Sequence, residues 1–325
     1  MISQAQAEKV FEDQLRGAVY ATHRDALAKV ETGALLEESV TQLRLQLTAS
    51  ALSIRNGAYR MEYLIPAERD QPAYPRSFVV LFRMTEKPEQ DRAAGLYYFV
   101  QAEAGGPWKA AAKTWAADKP ASPPGRGQFE DRRYGGFGFD VRDKPIAAPA
   151  RGEGGSATLS PTAAADRGAC ARYADYLTFT APNGIPESEH FAAGKLTSGV
   201  VGAYNDEDGR DIWNGLIRHR YAFEVTGAEL PVLRLADGKS LVTCSFVRTD
   251  RREGKSGSDA WFTNGSLSTS DRQVVTLLGD NKNWLRTVVR RSVTATFEVP
   301  AQGPADVVGC NCLGPELLSA EGTPK

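Results

Sequence analysis

Histidine, methionine and cysteine are scarce in this 325-residue chain, with three, three and four residues respectively. His23, His190 and His219 lie far apart, and none is near Cys310-Asn311-Cys312 in sequence. The one-residue spacing of that cysteine pair suits zinc poorly, because paired zinc ligands usually stand two or more residues apart. No metal and no cofactor are therefore expected. Charge of one sign is also missing: 39 basic side chains face 40 acidic ones, for a net charge of -1. Such a chain has no basic field with which to hold nucleic acid. The short runs Arg251-Arg252 and Arg290-Arg291 read as solvated faces. Nothing approaches the roughly 18–20 consecutive apolar residues of a transmembrane helix.

Catalytic signatures are lacking too. There is no Gly-x-Ser-x-Gly elbow. Gly254-Lys255-Ser256 ends like a phosphate loop, but the earlier glycine and the strand-to-helix context are absent. The densest acidic run, 205–211, alternates oxygen-bearing side chains before Gly209. A calcium loop counted from Asn205 needs a glutamate at its last position, where Leu216 stands. A solvated acidic loop is the expectation.

All four cysteines, Cys170, Cys244, Cys310 and Cys312, fall in the second half. An even number accommodates two disulfides, with three connectivities open. The other reading is free buried thiols, and Cys244 sits inside an apolar strand where a plain core cysteine is at home. The first residues show neither a basic nor an apolar leader region. Two readings stay open: a cytoplasmic chain, or a mature exported domain whose targeting segment was replaced by a start methionine.

Hydrophobic spacing gives the elements. Ser3 and Gln6 form a capping-box pattern. Phe11, Leu15 and Val19 recur every four residues, which predicts a helix over 4–29, stopped by Gly33 as a left-handed cap. A second helix is expected over 34–45. Strands follow at 59–65, 77–84, 95–102 and 108–115, too closely spaced for helical crossovers, so the sheet is antiparallel. Residues 119–158 are rich in proline and glycine and read as a linker. Inside it, the aromatic–glycine stretch 129–141 is either an arm packed on one half or a ligand-contacting loop.

The second half repeats the plan. Helices are expected at 163–179 and 187–201, and strands at 218–226, 230–235, 240–248, 274–278 and 287–299. A hairpin turn falls at 236–239, and 251–270 reads as a polar loop. His219, between Arg218 and Arg220, is expected to be exposed or interfacial, with Tyr221 facing inward. The fold class is α+β, built as two consecutive helix-then-curved-antiparallel-sheet domains, 1–118 and 159–325.

This plan resembles the NTF2-like, or cystatin-like, cone fold. Trp108-Lys109-Ala110 looks like the tryptophan-led strand of such domains. The segments Glu31-Thr32-Gly33-Ala34-Leu35-Leu36 and Tyr74-Pro75-Arg76-Ser77-Phe78-Val79-Val80 look like actinobacterial exported proteins and lipoproteins. The resemblance implies an extracytoplasmic, non-enzymatic binding or assembly protein with a protein or small-molecule partner. Membrane anchorage through a missing lipidated N-terminus is an extrapolation from it, since the N-terminus has no lipobox cysteine. The alternative is a small dehydratase or isomerase that uses a pocket Asp, His or Tyr between helix and sheet. Tyr20, His23, Tyr63 and Tyr98 are the candidate ligand-binding residues of the first half.

Overall fold

Residues 78–82 and 96–100 are apolar throughout, so a strand built from either must bury both faces. The computed structural model shows how. It describes residues 2–45, 59–84, 93–117, 146–211, 217–227, 229–254, 269–279, 284–312 and 314–324. Strands β1 (Tyr59–Leu64), β2 (Arg76–Met84), β3 (Ala93–Gln101) and β4 (Trp108–Ala117) form an antiparallel sheet in that order. Alternation along β2 and β3 divides their side chains between two cores. Phe78, Val80, Phe82, Tyr97 and Phe99 meet Ala7 and Phe11 of helix α1 (Gln4–Tyr20). The Phe78 and Phe99 rings stack 4.7 Å apart, and Phe11 meets Tyr97 edge-on at 5.5 Å. Gly95 lies opposite Phe82 in the ladder, and a Cβ there would stand 2.0 Å from that ring. On the other face, Val79, Leu81, Leu96, Tyr98 and Val100 share a core with Leu230, Leu233, Leu235 and Leu241 of the second half.

The second sheet is a curled antiparallel half-barrel. Its spine is β8 (Ser240–Gly254) against β9 (Trp284–Val299). Beyond β8 lie β6 (Ile217–Thr226) and then β5 (Phe179–Thr180), and the short β7 (Leu233–Arg234) also pairs with β8. The free edge of β9 is shared by β10 (Asp306–Cys310) and β11 (Glu316–Pro324). One face carries Val242, Cys244, Phe246, Val293, Ala295 and Phe297. It is covered by α5 (Gly168–Tyr176) and α6 (Ser198–Asp211). The layers therefore run helix, sheet, sheet, helix.

The face that the second sheet turns to the first is rich in hydroxyls. Tyr98 Oη lies 2.6 Å from Thr243 Oγ1, which lies 2.9 Å from Thr296 Oγ1. Thr296 Oγ1 in turn donates to Thr114 Oγ1 at 3.3 Å. This chain of four buried hydroxyls crosses from β3 through β8 and β9 to β4. Glu298, also buried, accepts from the Ala147 amide at 2.7 Å and from Lys239 Nζ at 3.0 Å.

Several expectations are corrected. The helix expected over 4–29 ends at Tyr20, and only a short α2 (Arg24–Leu27) follows. The chain breaks because 30–32 must pair with the β4 edge: Ala110 N donates to Val30 O, and Thr32 N donates to Ala110 O, both at 2.9 Å. Gly33 is left-handed, at φ 59°, but it opens the next helix, α3 (Gly33–Arg44). The helix expected over 163–179 is interrupted between α4 (Ala163–Asp166) and α5. Residues 187–197 are not helical, and the acidic run 205–211 lies within α6. Residues 274–278 belong to a helix, α7 (Thr269–Leu278): Val274, Leu277 and Leu278 share one face over Val289 and Leu317. A short apolar run cannot separate helix from strand by itself. Residues 146–158, read as the end of a linker, are built into the fold, with Ile146 and Ala157 buried between the sheets. The aromatic–glycine stretch 129–141 lies outside the described residues.

Helix α3 also touches the second half, through hydrogen bonds to two carboxylates. Ser292 Oγ donates to Glu38 Oε1 at 2.6 Å, Lys113 Nζ stands 3.8 Å from Glu38 Oε2, and Gln42 Nε2 donates to Glu316 at 3.2 Å. Burial pushes the Glu38 carboxyl up from 4.5 to about 7, against the pull of Lys113. A carboxyl that binds its proton more tightly when folded adds stability at low pH. That contribution is complete below about pH 4.5 and is lost as the pH rises through about 7. The unfolding free energy of the wild type, less that of Glu38→Gln, is therefore expected to fall between pH 4.5 and pH 8. The total change is at most about 3 kcal/mol. Urea unfolding at a series of pH values measures it, and a flat difference contradicts the assignment.

Candidate functional site

The four residues singled out in the first half do not converge. Tyr20 ends α1 and is 77% exposed. His23 is exposed as well, its Nδ1 3.1 Å from Thr22 Oγ1. Tyr63 packs at the margin of the α1 side of the first sheet, where burial pushes its hydroxyl up to about 12. Tyr98 is fully buried on the opposite face, inside the hydroxyl chain. The space between α1 and the first sheet, where a pocket was expected, is filled by Phe11, Phe78, Phe82, Tyr97 and Phe99.

One open space of this half lies at the flank of α1. A cleft of about 430 Å³ runs between the first turns of α1 and the 65–77 segment. Ile2, Val10, Ile65 and Trp108 supply its apolar surface, and Lys9, Asp13, Glu68 and Arg76 its charges. Trp108 is held edge-on against Phe78 at 5.1 Å. Arg76 lies over the Tyr74 ring at 4.9 Å and donates to Glu68 Oε1 at 3.0 Å. Gln71 clamps Ser77: its Oε1 accepts from the Ser77 amide at 2.7 Å, and its Nε2 donates to the Ser77 carbonyl at 2.8 Å. Tyr74 and Arg76, from one of the segments that carry the resemblance, and Trp108, from another, thus line one cleft.

The second half concentrates its polar chemistry on the α5–α6 face of the curled sheet. Cys244 and Cys310 both lie opposite Ala295, so three adjacent strands bring the cysteines together. Cys170 of α5 is bonded to Cys244, and Cys310 to Cys312. Tyr173 Oη lies 3.3 Å from Cys312 Sγ and donates to Leu196 O at 2.5 Å. The Cys310–Cys312 loop interrupts the edge of β9, and Asn311 replaces the missing partner: its Oδ1 accepts from the Thr294 amide at 2.7 Å.

Farther along the same face stand Arg248, Asp250 and Arg291. Arg248 donates from Nε and Nη2 to the two Asp250 oxygens, both at 2.6 Å. Its Nη1 donates to Tyr204 Oη at 2.7 Å and to the Cys312 carbonyl at 3.0 Å. Arg291 Nε lies 3.3 Å from Asp250 Oδ2. Burial alone would raise the Asp250 carboxyl, but the Arg248 charge outweighs it and holds the group below its ordinary range. Tyr204 stacks on Tyr221 at 4.3 Å, and the His219 ring packs on Tyr221 at 4.2 Å.

Two expectations change here. His219 is buried on the inward face, and Arg291 is largely buried beside Asp250, so neither belongs to a solvated face. The flanking Arg218 and Arg220 are exposed. Period-two alternation with the inward Tyr221 is the signal that places His219 inside. Asn205, at the head of the acidic run and within α6, accepts from the Gly184 amide at 3.0 Å and donates to the Gly184 carbonyl at 2.9 Å. Among the described residues no group of three or more His, Cys, Asp or Glu could hold a metal ion, and no helix is long and apolar enough to cross a membrane.

Comparison with known proteins finds no matching family model, no matching curated protein and no matching solved structure.

Removing one member of a buried ion pair leaves the other charge uncompensated, at a cost of about 3–5 kcal/mol. Asp250→Asn is expected to lose stability of that order in urea unfolding. The double variant Arg248→Leu, Asp250→Leu should recover part of the loss. An Asp250→Asn protein as stable as wild type would contradict the pairing.

Proposed function

We propose that the chain is an extracytoplasmic binding or assembly protein built from two consecutive NTF2-like domains, without catalysis of its own. In this reading it is related in plan to actinobacterial exported proteins and lipoproteins. The observation that carries the reading is the distribution of space. The α1 face of the first sheet is packed with aromatic rings, whereas an amphipathic cleft lies open beside α1. Such a cleft, lined by both apolar and charged side chains, suits a small ligand or a short segment of a partner. Pairing of all four cysteines supports an oxidising compartment.

The enzymatic alternative finds its Asp, His and Tyr in the second half, as Asp250, His219 and Tyr204. These groups are poorly poised for proton transfer, which works best with a pKa near the operating pH. Asp250 is locked on both oxygens and held ionised by Arg248. Burial and the Arg252 charge push His219 down to about 3. The arrangement favours binding over catalysis.

A photo-cross-linker introduced at Gln6, on the cleft rim, tests the reading in intact cells. A discrete adduct is expected, and Val10→Arg, which fills the cleft, should abolish it. An adduct indifferent to Val10→Arg would place the partner elsewhere. Free thiols at all four cysteines, in protein taken directly from its native cells, would overturn the extracytoplasmic assignment.

A further inference from the structure

Helix α1 turns Ala7, Phe11 and Gln14 to the interior at helical spacing, so its buried stripe ends on an amide. Gln14 is 3% exposed and Glu31 2%. Gln14 Nε2 donates to Glu31 Oε1 at 3.1 Å. Gln14 Oε1 and Glu31 Oε2 are both buried without a hydrogen-bond partner among the described residues. Buried polar atoms are nearly always paired, and these two belong to side chains already joined by one bond. An ionised carboxylate only accepts, so a charged Glu31 offers the amide oxygen nothing, whereas a neutral carboxylic acid carries the missing O–H. Turning the Gln14 amide over would set two oxygens 3.1 Å apart and call for the same proton. The surroundings favour the neutral form. Burial pushes the Glu31 carboxyl up from its ordinary 4.5, against the Ser39 hydroxyl, the Lys113 charge and the Gln14 amide. Ser39 leaves Oε2 without a hydrogen bond, and Lys113 of β4 also answers Glu38 of α3 and Glu316 of β11.

We propose that Glu31 and Gln14 form a proton-operated latch: neutral Glu31 donates from Oε2 to Gln14 Oε1, and loss of that proton to solvent frees α1 from the 30–32 segment. Ionisation leaves a buried carboxylate and a buried amide oxygen both short of donors, and opening to water supplies them. The latch joins two elements that are closely packed, since a Cβ on Gly17 of α1 would stand 2.9 Å from Val30 Cγ1. It also sits behind the cleft. Gln14 follows Asp13, which lines it, and Val30 and Thr32 bond to Ala110 of β4, two residues beyond Trp108. When the latch opens, the α1 wall of the cleft, with Gln6, Lys9, Val10 and Asp13, is held less firmly. That consequence rests on the binding function proposed above, whereas the latch itself does not. Folding strengthens the hold of Glu31 on its proton, so the latch is complete below about pH 4.5 and is lost as the pH rises to the raised value.

Carbon-13 NMR of the Glu31 side-chain carboxyl in the full chain tests the latch without any ligand. Its midpoint is expected above 4.5, and the Gln14 side-chain amide signals should move at the same midpoint. Glu31→Gln makes the latch permanent, because its amide supplies the donor at every pH. Amide hydrogen exchange of α1 in the wild type, relative to this variant at the same pH, should quicken by about tenfold for each pH unit between 4.5 and the Glu31 midpoint, then level off. The proposal is overturned if Glu31 titrates at or below 4.5, if the Gln14 signals do not follow it, or if wild type and Glu31→Gln exchange alike at every pH. The Gln6 cross-link separates latch from cleft. No adduct beside a Glu31 that titrates as expected sinks the binding reading and leaves the latch standing, and an adduct beside a Glu31 ionised throughout sinks the latch alone.

Discussion

The hydroxyl chain Tyr98–Thr243–Thr296–Thr114 is the contact on which the rest of the structure depends. Two antiparallel sheets packed face to face through apolar side chains alone could slide by a residue pair at little cost, because apolar contact has no direction. A buried hydroxyl is different. It must find a partner at hydrogen-bond distance, and any slip leaves it unpaired at a cost of about 1–3 kcal/mol. Four such groups on four different strands fix the offset of one sheet against the other. Once that offset is set, α3 is carried to Ser292, and the 146–158 segment to Glu298 and the Leu233–Leu235 rim.

Much of the first sheet is legible in the amino-acid sequence because its strands need little from elsewhere. The runs 78–82 and 96–100 announce two buried faces, and Gly105-Gly106-Pro107 separates β3 from β4. The second half is less legible because its elements depend on partners distant in sequence. The edge partners of β9 are two short pieces with a loop between them, and neither has a periodic pattern of its own. The α7 stretch has two β-branched valines, which favour a strand locally. Packing against Val289 and Leu317 makes it a helix. Polar residues mislead for a similar reason. Arg218 and Arg220 suggest an exposed segment, and their charge hides the alternation with the inward Tyr221 that puts the residue between them in the interior of the β6–β8 pair.

The two disulfides divide the labour of the second half. Cys170–Cys244 spans 74 residues and ties α5 to the sheet. In the chain-entropy account, closing a loop of that size is worth about 4 kcal/mol. Cys310–Cys312 spans two residues and closes almost no chain. Its contribution is better understood as geometric. The loop sits where the free edge of β9 passes from β10 to β11, and it turns the Cys312 carbonyl inward. That carbonyl is one of four acceptors that Arg248 meets, with Tyr204 and the two Asp250 oxygens. A guanidinium held by four hydrogen bonds from three sides has little freedom to turn. Its charge holds Asp250 ionised, and neither ring nitrogen of His219, on the neighbouring strand, finds a hydrogen-bond partner among the described residues. The small disulfide loop and the unpaired imidazole are thus linked through one arginine. The path runs from the edge bulge through the Cys312 carbonyl and Arg248 to Asp250, and ends at His219.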